Sequence, residues 1–313
     1  MAANIAEPGM MSVDALRGSS KRRRRERAVR IILVSAAVLS MAISVLIVFA
    51  LLGNAVRFLF NIDLDWLLTG GWYPRTNDFG LPTILAGTML ITAIAMIVAV
   101  PVGLGSALYL SEYANPRLRR TLKPILETLA GIPSVVLGFF ALTIINPYLV
   151  HMLFESAGTF TFLAAGIAVG ILTVPLVASV AEDALFAVPG ALREAAFGIG
   201  ARRRTVSTRI VFPAAVSGIV AAVILGISRA IGETMIVAIA AGATGGAGFT
   251  LNPLDHGQTM TGAISSLAIG SDQVRGADQA FNSLYLVGLL LFVITFALNL
   301  VSERFVRRVR RAY

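Results

Sequence analysis

Two charged residues, Arg229 and Glu233, stand inside an otherwise apolar segment of this 313-residue chain. A guanidinium is permanently charged, and its planar fork of donors suits an oxyanion. At the centre of a membrane helix an arginine costs about 2.5 to 3.5 kcal/mol, so it faces a partner or an aqueous pathway rather than lipid. Two interpretations remain. The residues form a neutral pair that holds helices together, although arginine before glutamate is the poorer order at this spacing, or Arg229 contacts a passing anion.

A polar and basic stretch from Arg193 to Pro213 is the second candidate site. It keeps a fixed spacing of Glu194, Ala195, Ala196, Gly200, Ile210 and Pro213. Gly200 is suited to end a short helix, and a second short helix is expected after it. Such a helix–glycine–helix unit is too short to cross a membrane and is suited to docking in a groove of another protein. The alternative is a solvated basic loop that only fixes topology.

No other group of residues in the sequence is typical of catalysis or metal binding. The chain has no cysteine, which excludes disulfides and thiolate metal sites, and its two histidines, His151 and His256, lie far apart. We therefore expect no catalytic residue and no metal site. The phosphate-binding pattern GxxxxGK[ST] is absent as well, so any ATP hydrolysis coupled to this chain belongs to a separate polypeptide.

The composition is that of an integral membrane protein. Hydrophobic residues make up 57% of the chain, charged residues 14%, and the mean hydropathy is +0.81. The formal net charge of +9 does not indicate nucleic-acid binding, because the basic residues form short clusters at the ends of apolar runs.

Six apolar runs predict an all-α fold with six transmembrane helices. The first five occupy residues 31–56, 79–111, 128–154, 156–181 and a run from 214 that Arg229 and Glu233 interrupt, and the sixth occupies 281–302. The first run is too long for a signal peptide and is predicted to remain uncleaved. Gly131, Pro133 and Asn146-Pro147 are expected to bend or break the third helix. A glycine-rich loop is expected from residue 242 to residue 280.

The basic residues predict the orientation of these helices. Eight lie in the N-terminal tail, four between the second and third helices, five in the 193–213 stretch and five after the sixth helix. The opposite side has only Arg57, Arg75 and Arg275. By the positive-inside rule, both termini and the 193–213 stretch face the cytoplasm.

The spacing around Glu194 and Gly200 resembles the EAA loop of ABC-importer permeases, with Phe212 where leucine is usual. Six helices with this loop before the fifth resemble the type I ABC importer permease (MetI-like) fold. Three further strings, at residues 100–114, 129–142 and 228–235, resemble phosphate-uptake permeases of the PstC type. The expected division is a basic cytoplasmic tail at 1–30, a first helix and outer loop at 31–81, a permease core at 82–303 and a basic cytoplasmic tail at 304–313.

The resemblance implies a transport subunit in a bacterial cell membrane rather than an enzyme. Its expected partners are a second permease subunit of the PstA type, an ATPase dimer of the PstB type, an extracytoplasmic phosphate-binding protein of the PstS type and membrane lipid, with no nucleic acid. No cofactor is expected on this chain, since ATP and Mg²⁺ belong to the ATPase. The resemblance assigns ATPase coupling to Glu194, Ala195, Ala196, Gly200, Ile210 and Pro213. Arg229 and Glu233 are the predicted substrate-pathway residues.

Two alternatives remain open from the sequence. A permease of the same fold for molybdate or sulfate has the same pattern, because one basic residue does not distinguish anions of similar size. An intramembrane enzyme or an ATP-independent channel would instead use Glu233 as an acid or a filter residue. No Ser-His, paired-Asp or His-cluster arrangement supports that second alternative.

Overall fold

The computed structural model describes residues 20–68, 70–242, 246–269 and 278–310. Its elements are α1 (Ser20–Phe60), α2 (Leu64–Leu68), β1 (Trp72–Tyr73), β2 (Asp78–Phe79), α3 (Leu81–Leu108), α4 (Pro116–Leu129), α5 (Ser134–Phe140), α6 (His151–Leu153), α7 (Phe162–Phe186), α8 (Gly190–Gly198), α9 (Arg203–Val206), α10 (Phe212–Ala214), α11 (Val216–Ile231), α12 (Met235–Val237), α13 (Met260–Ala268) and α14 (Asp278–Arg310). Residues 1–19, Arg275 and Arg311, on which part of the predicted orientation depends, lie outside the described residues.

Four π-helical segments occur in the described part of the chain, at Tyr109–Tyr113, Ala141–Val150, Ser207–Val211 and Ala238–Gly242. The chain divides into two units, residues 1–50 and residues 51–313. In the first unit the described residues form the greater part of α1.

The predicted membrane-spanning helices are confirmed. Among the described residues, five helical stretches are long and apolar enough to cross a membrane: Arg24–Phe60, Leu81–Tyr113, Ser134–Leu153, Phe162–Phe186 and Gln279–Arg304. A sixth span results if Arg203–Ala214 and Val216–Ile231, which meet at an angle of 71°, are taken together. The expected break of the third run is confirmed at residues 130–133, between the end of α4 at Leu129 and the start of α5 at Ser134. At Asn146-Pro147 the helix is not broken and continues as the π-helical segment Ala141–Val150.

Close packing of α3 against α7 forms the centre of the larger unit. Glycines on these helices allow the approach: a β-carbon at Gly166 would lie 2.6 Å from Ile94 Cγ2, and one at Gly170 would lie 2.9 Å from the backbone oxygen of Ala95. Small side chains therefore set the distance between these two helices, as is usual for helix pairs in membranes.

Two clusters of buried side chains lie at opposite ends of α3. At its N-terminal end, Phe79 and Ile84 pack with Phe58, Trp72 and Met260. At its C-terminal end, Ala107 packs with a group that contains Leu185, Val188, Ala196, Val206 and Val211. The residues predicted for ATPase coupling therefore lie at the C-terminal end of α3, which we call the EAA end, and the β1–β2 hairpin lies at the far end.

The stretch between the second and third spans folds as helix α4, where the sequence suggested a loop. Asn115 caps this helix by accepting a hydrogen bond from the backbone N–H of Leu118 at 2.7 Å. Pro116 occupies its first turn, where a missing N–H leaves no bond unmade. Helix α4 is amphipathic and contains no buried residue. Its many charged residues therefore gave no apolar run from which the helix could be predicted.

Within the predicted glycine-rich loop from 242 to 280, the described residues 246–269 include a helix and buried side chains that the sequence did not indicate. Residues 257–263 are buried, and α13 occupies Met260–Ala268. The backbone N–H of Met260 donates to Thr88 Oγ1 at 3.0 Å, and Trp72 and Ala247 exchange two backbone hydrogen bonds. These contacts fix the described part of the segment against α3 and the hairpin.

Candidate functional sites

Arg229 lies just before a break in the fifth span, and Glu233 lies within the break. Helix α11 ends at Ile231, and α12 begins at Met235. The side chain of Arg229 lies in the last turn of α11 and is exposed, whereas Glu233 is buried with 6% of its surface accessible. The two residues are therefore not neighbours on one continuous helix, which the four-residue spacing had suggested.

The side chain of Glu233 is directed to the helix that follows it. Its Oε1 accepts a hydrogen bond from the backbone N–H of Ile236 at 3.4 Å, and its backbone oxygen accepts from Thr261 Oγ1 at 2.7 Å. A carboxylate before a helical turn is well placed for such a bond, since the first N–H groups of the turn have no helical partner. Thr261 belongs to α13, which lies in the predicted glycine-rich loop. A hydrogen bond from this helix therefore stabilises the backbone at the break.

Among the described residues, no ion pair joins Arg229 to Glu233. The Arg229 guanidinium makes no hydrogen bond to any of these residues. Such a pair assumes one helix through both residues. That assumption is wrong because the chain leaves the helix at Ile231 and turns at Gly232. The arginine is an exposed cation four residues before a buried glutamate.

The residues with EAA spacing form the predicted unit of two short helices. Helix α8 begins at Gly190 after Pro189, and it ends before Gly200, whose φ of +80° is in the left-handed region. The N–H of Ala201 donates to the backbone oxygen of Ala196 at 3.0 Å, and the N–H of Gly200 donates to that of Phe197 at 2.9 Å. This is the Schellman pattern of helix termination, in which glycine avoids the strain of the left-handed conformation.

The surface of this unit has an inner and an outer side. Ala196 is buried, and Ile210 packs against the same cluster as a partly buried residue. Glu194 and Ala195 are exposed, Gly200 has open space around its α-carbon, and Pro213 lies in the first turn of α10. Three large apolar side chains on the outer side are also exposed, Leu192 at 46%, Phe197 at 47% and Ile199 at 87%. An exposed apolar surface next to a glutamate is typical of a protein contact.

Comparison with known proteins assigns the chain to a family. The model of the family described as "binding-protein-dependent transport system inner membrane component" matches residues 99–311. The chain belongs to this family. It is 32% identical to the probable ABC transporter permease protein YqgH of Bacillus subtilis, over 91% of this chain and 93% of that protein. It is also 32% identical to the phosphate transport system permease protein PstC of Xylella fastidiosa, over 77% of this chain and 78% of the other.

The fold comparison agrees with the expected type I ABC importer permease. A chain from the crystal structure of a bacterial alginate ABC transporter, in complex with an alginate-bound periplasmic protein, superimposes with a TM-score of 0.61. The match covers 91% of this permease and 97% of that chain at 17% identity, so it shows the fold alone. The permease is thus an all-α membrane protein and a subunit of an ABC importer.

The permease has a buried arginine–glutamate contact at the EAA end that the sequence analysis did not identify. Arg193 Nη2 lies 2.8 Å from Glu112 Oε1, with 20% of the arginine side chain and 6% of the glutamate side chain exposed. The same guanidinium donates to the backbone oxygens of Leu185 at 2.8 Å and Val188 at 2.5 Å. One side chain of α8 therefore contacts the ends of both α3 and α7.

A second ionic cluster joins α4 to the end of α7. Glu182 is fully buried, and its carboxylate contacts Lys123 Nζ at 2.7 Å and Arg119 Nη2. Lys123 also contacts Asp183 at 2.5 Å, and the Arg119 guanidinium lies 3.7 Å from the centroid of the Phe186 ring. Burial is the largest single influence on Lys123 and lowers its pKa, but hydrogen bonds and charges from Asp183 and Glu182 together raise the pKa above its ordinary value.

The sequence contained a signal for this second cluster. Glu182 and Asp183 are an acidic pair in an otherwise uncharged helix, between two segments that carry clusters of basic residues. Buried carboxylates require partners, so cations of the neighbouring basic stretch were candidates. The signal for Arg193 was weaker, because five basic residues of that stretch are equivalent in sequence.

Proposed function

We propose that this chain is the permease subunit of an ATP-driven inorganic phosphate importer, and that Arg229 contacts the anion on its way through the membrane. The observation that carries the proposal is the exposed guanidinium of Arg229 at a break in a membrane span, with no ion pair to Glu233 among the described residues. A lone cation at this depth is expected to face a water-filled pathway or a partner. The identity to PstC proteins supports phosphate as the anion.

The proposed coordination is brief and weak. Phosphate leaving water needs a cation with several donors, which a guanidinium supplies. An ion held too tightly would stop transport, since conduction requires release as well as binding. Glu233 limits the affinity in this proposal, because its buried negative charge lies close to Arg229 in the chain and repels an anion bound there.

The remaining parts of the proposal concern partners and orientation. A second permease subunit of the PstA type completes the pathway, and a PstB-type ATPase dimer docks on the exposed side of α8, where Glu194 and Ala195 lie among apolar side chains. A PstS-type binding protein delivers phosphate at the far end. Both termini face the cytoplasm of a bacterial cell, and ATP and Mg²⁺ are bound by the ATPase, with no cofactor on this chain.

Uptake of radiolabelled phosphate tests the proposal. A strain that lacks its own phosphate permease receives this chain with its partner subunits, and unlabelled phosphate, molybdate and sulfate serve as competitors. We expect uptake that only unlabelled phosphate suppresses, together with co-purification of an ATPase in mild detergent. Suppression by molybdate or sulfate at lower concentration than phosphate would contradict the choice of anion. Absence of the ATPase would contradict the importer itself.

A further inference from the structure

Four hydrogen bonds of Arg193 join three elements at the EAA end. Its Nε and Nη2 donate to Glu112 Oε1 at 3.2 and 2.8 Å, its Nη2 also donates to the Leu185 backbone oxygen, and its Nη1 donates to that of Val188. Glu112 belongs to the π-helical segment that ends the second span, Leu185 lies in the last turn of α7, and Val188 follows that helix by two residues. The guanidinium is thus bonded to both helices from a position on α8.

We propose that Arg193 is the positioning residue that fixes α8 to the ends of both α3 and α7, so that a displacement of α8 moves these helices with it. The inference rests on the proposed function, since it specifies how movement of an ATPase bound at α8 reaches the membrane helices. It assigns no contact between Arg193 and either ATP or phosphate.

The buried apolar contact of α8 comes from one small side chain. Ala196 is the one buried residue of the described helix α8, and it packs in a cluster that contains Leu185, Val188, Val206 and Val211. Small side chains permit close approach but resist rotation weakly, because few atoms interlock. Directional hydrogen bonds to three separate acceptor residues supply the missing constraint.

The position also favours arginine on electrostatic grounds. The last carbonyl groups of a helix have no helical donor and carry partial negative charge, so a cation at the end of α7 is stabilised there. Glu112 adds a full negative charge and is held by a hydrogen bond of 3.2 Å from Ser111 Oγ. A lysine keeps the charge but has no planar fork, so it cannot bond to the carboxylate and to both carbonyl groups in the same geometry.

The decisive comparison is Arg193→Lys with Arg120→Lys in the complete transporter in lipid nanodiscs. Arg120 is an exposed arginine of α4, so the control makes the same substitution at the same end of the molecule. ATPase activity is measured with and without the binding protein loaded with inorganic phosphate. We expect Arg193→Lys to reduce the stimulation ratio by about tenfold, the equivalent of one charge-assisted hydrogen bond, and Arg120→Lys to leave it unchanged.

A second measurement follows the movement without phosphate. Spin labels on cysteines at Ala191 and Val102, both exposed, report the distance between α8 and α3 before and after trapping with ATP and vanadate. The background contains no other cysteine in this chain. We expect one unchanged distance in the otherwise unaltered protein and a broadened distribution in Arg193→Lys.

The outcomes separate this inference from the proposed function. If loaded binding protein fails to stimulate the transporter that carries no substitution, the assignment to phosphate fails, and the spin-label distances still test Arg193. The positioning role is refuted if the unsubstituted transporter is stimulated normally and Arg193→Lys shows the same ATPase stimulation ratio and the same narrow distribution of spin-label distances. Loss of assembly in Arg193→Lys would be resolved with Glu112→Gln, which keeps an acceptor oxygen and should lower the ratio by a smaller factor.

Discussion

Lys123 and Glu182, 59 residues apart in the chain, meet at 2.7 Å between Nζ and Oε2 and join α4 to the end of α7. We expect Glu182→Ala to lower the free energy of unfolding by about 2 to 4 kcal/mol, since it leaves two cations without their buried partner. The lower part of this range applies because Arg119 and Lys123 retain 24% and 25% side-chain exposure. Thermal unfolding in detergent measures the loss. The control is Asp183→Asn, at a carboxylate that is 64% exposed, which should lower the free energy of unfolding by less than about 1 kcal/mol. An equal loss of stability in the two variants would contradict a special role for Glu182.

The raised pKa of Lys123 predicts a loss of stability in alkaline solution. A lysine whose pKa is higher in the folded state than its ordinary value of 10.5 contributes its full stabilisation below that value and loses it as the pH rises through the folded-state pKa. We expect the melting temperature to fall above pH 10.5 more steeply than in Lys123→Arg, whose guanidinium does not titrate there. Parallel curves for the two proteins would show that Lys123 does not contribute.

Gly200 should be sensitive to substitution because of its backbone conformation. Its φ of +80° costs a residue with a β-carbon about 1 to 2 kcal/mol, more for a β-branched one, although the surrounding space is open. Gly200→Val is expected to reduce phosphate uptake while membrane insertion continues, and Gly200→Asn to be tolerated. Gly198→Ala, in α8 with open space and no left-handed φ, is the matched control. Normal uptake by both Gly200→Val and Glu194→Lys would count against docking of this unit to an ATPase.

Substitutions at the 229–233 break distinguish an anion contact from a structural pair. We expect Arg229→Gln to abolish uptake with normal assembly, because the passing anion loses its cation. Exchange of the two residues should remain inactive, since the arginine would then occupy the buried position of Glu233. Uptake of radiolabelled phosphate is the measurement, and assembly with the ATPase is the control. Recovery of uptake in the exchanged double variant would show that only the presence of both charges matters.

Single cysteines test the proposed orientation. Leu251, in the described segment 246–269, has a side chain that is 62% exposed. The hydroxyl of the neighbouring Thr250 instead donates a hydrogen bond to Asp255 Oδ2 at 2.6 Å. Leu251→Cys should therefore react with a membrane-impermeant thiol reagent added outside the cell, and faster than Thr250→Cys. The exposed Ala191→Cys in α8 should react only from the cytoplasmic side. Reaction of Leu251→Cys from the cytoplasm would reverse the topology. Asp272, another suitable position by sequence, lies outside the described residues.

The parts of this structure that sequence predicts best are those set by local chemistry. Runs of apolar residues long enough for a bilayer locate the spans, and a glycine after a short helical stretch locates the left-handed turn at Gly200. Both signals lie within a few residues of the structure that they determine. The same holds for the irregular third span, where Pro147 removes a helical hydrogen bond.

The parts that sequence missed depend on contacts between distant residues. Arg193 is 81 residues from Glu112, and their pairing is decided by the way α8 meets the end of the second span. The sequence also contained no sign that Arg229 and Glu233 lie on different backbone segments, because no proline marks the end of α11 at Ile231. Helix α4 was missed because its stabilisation comes from the Asn115 cap and from contacts with α7 rather than from an apolar run.

The glycine contacts between α3 and α7 restrict the kinds of motion open to this protein. Atoms of α3 lie within 2.9 Å of the positions that β-carbons at Gly166 and Gly170 would take, so α3 sits in a depression of α7. Sliding of α3 along α7 would push these α3 atoms against the side chains that flank the glycines. Rotation of the two helices as a pair creates no such overlap. This packing opposes shear between α3 and α7, and we expect changes of shape where helices are interrupted, such as the 71° bend before α11.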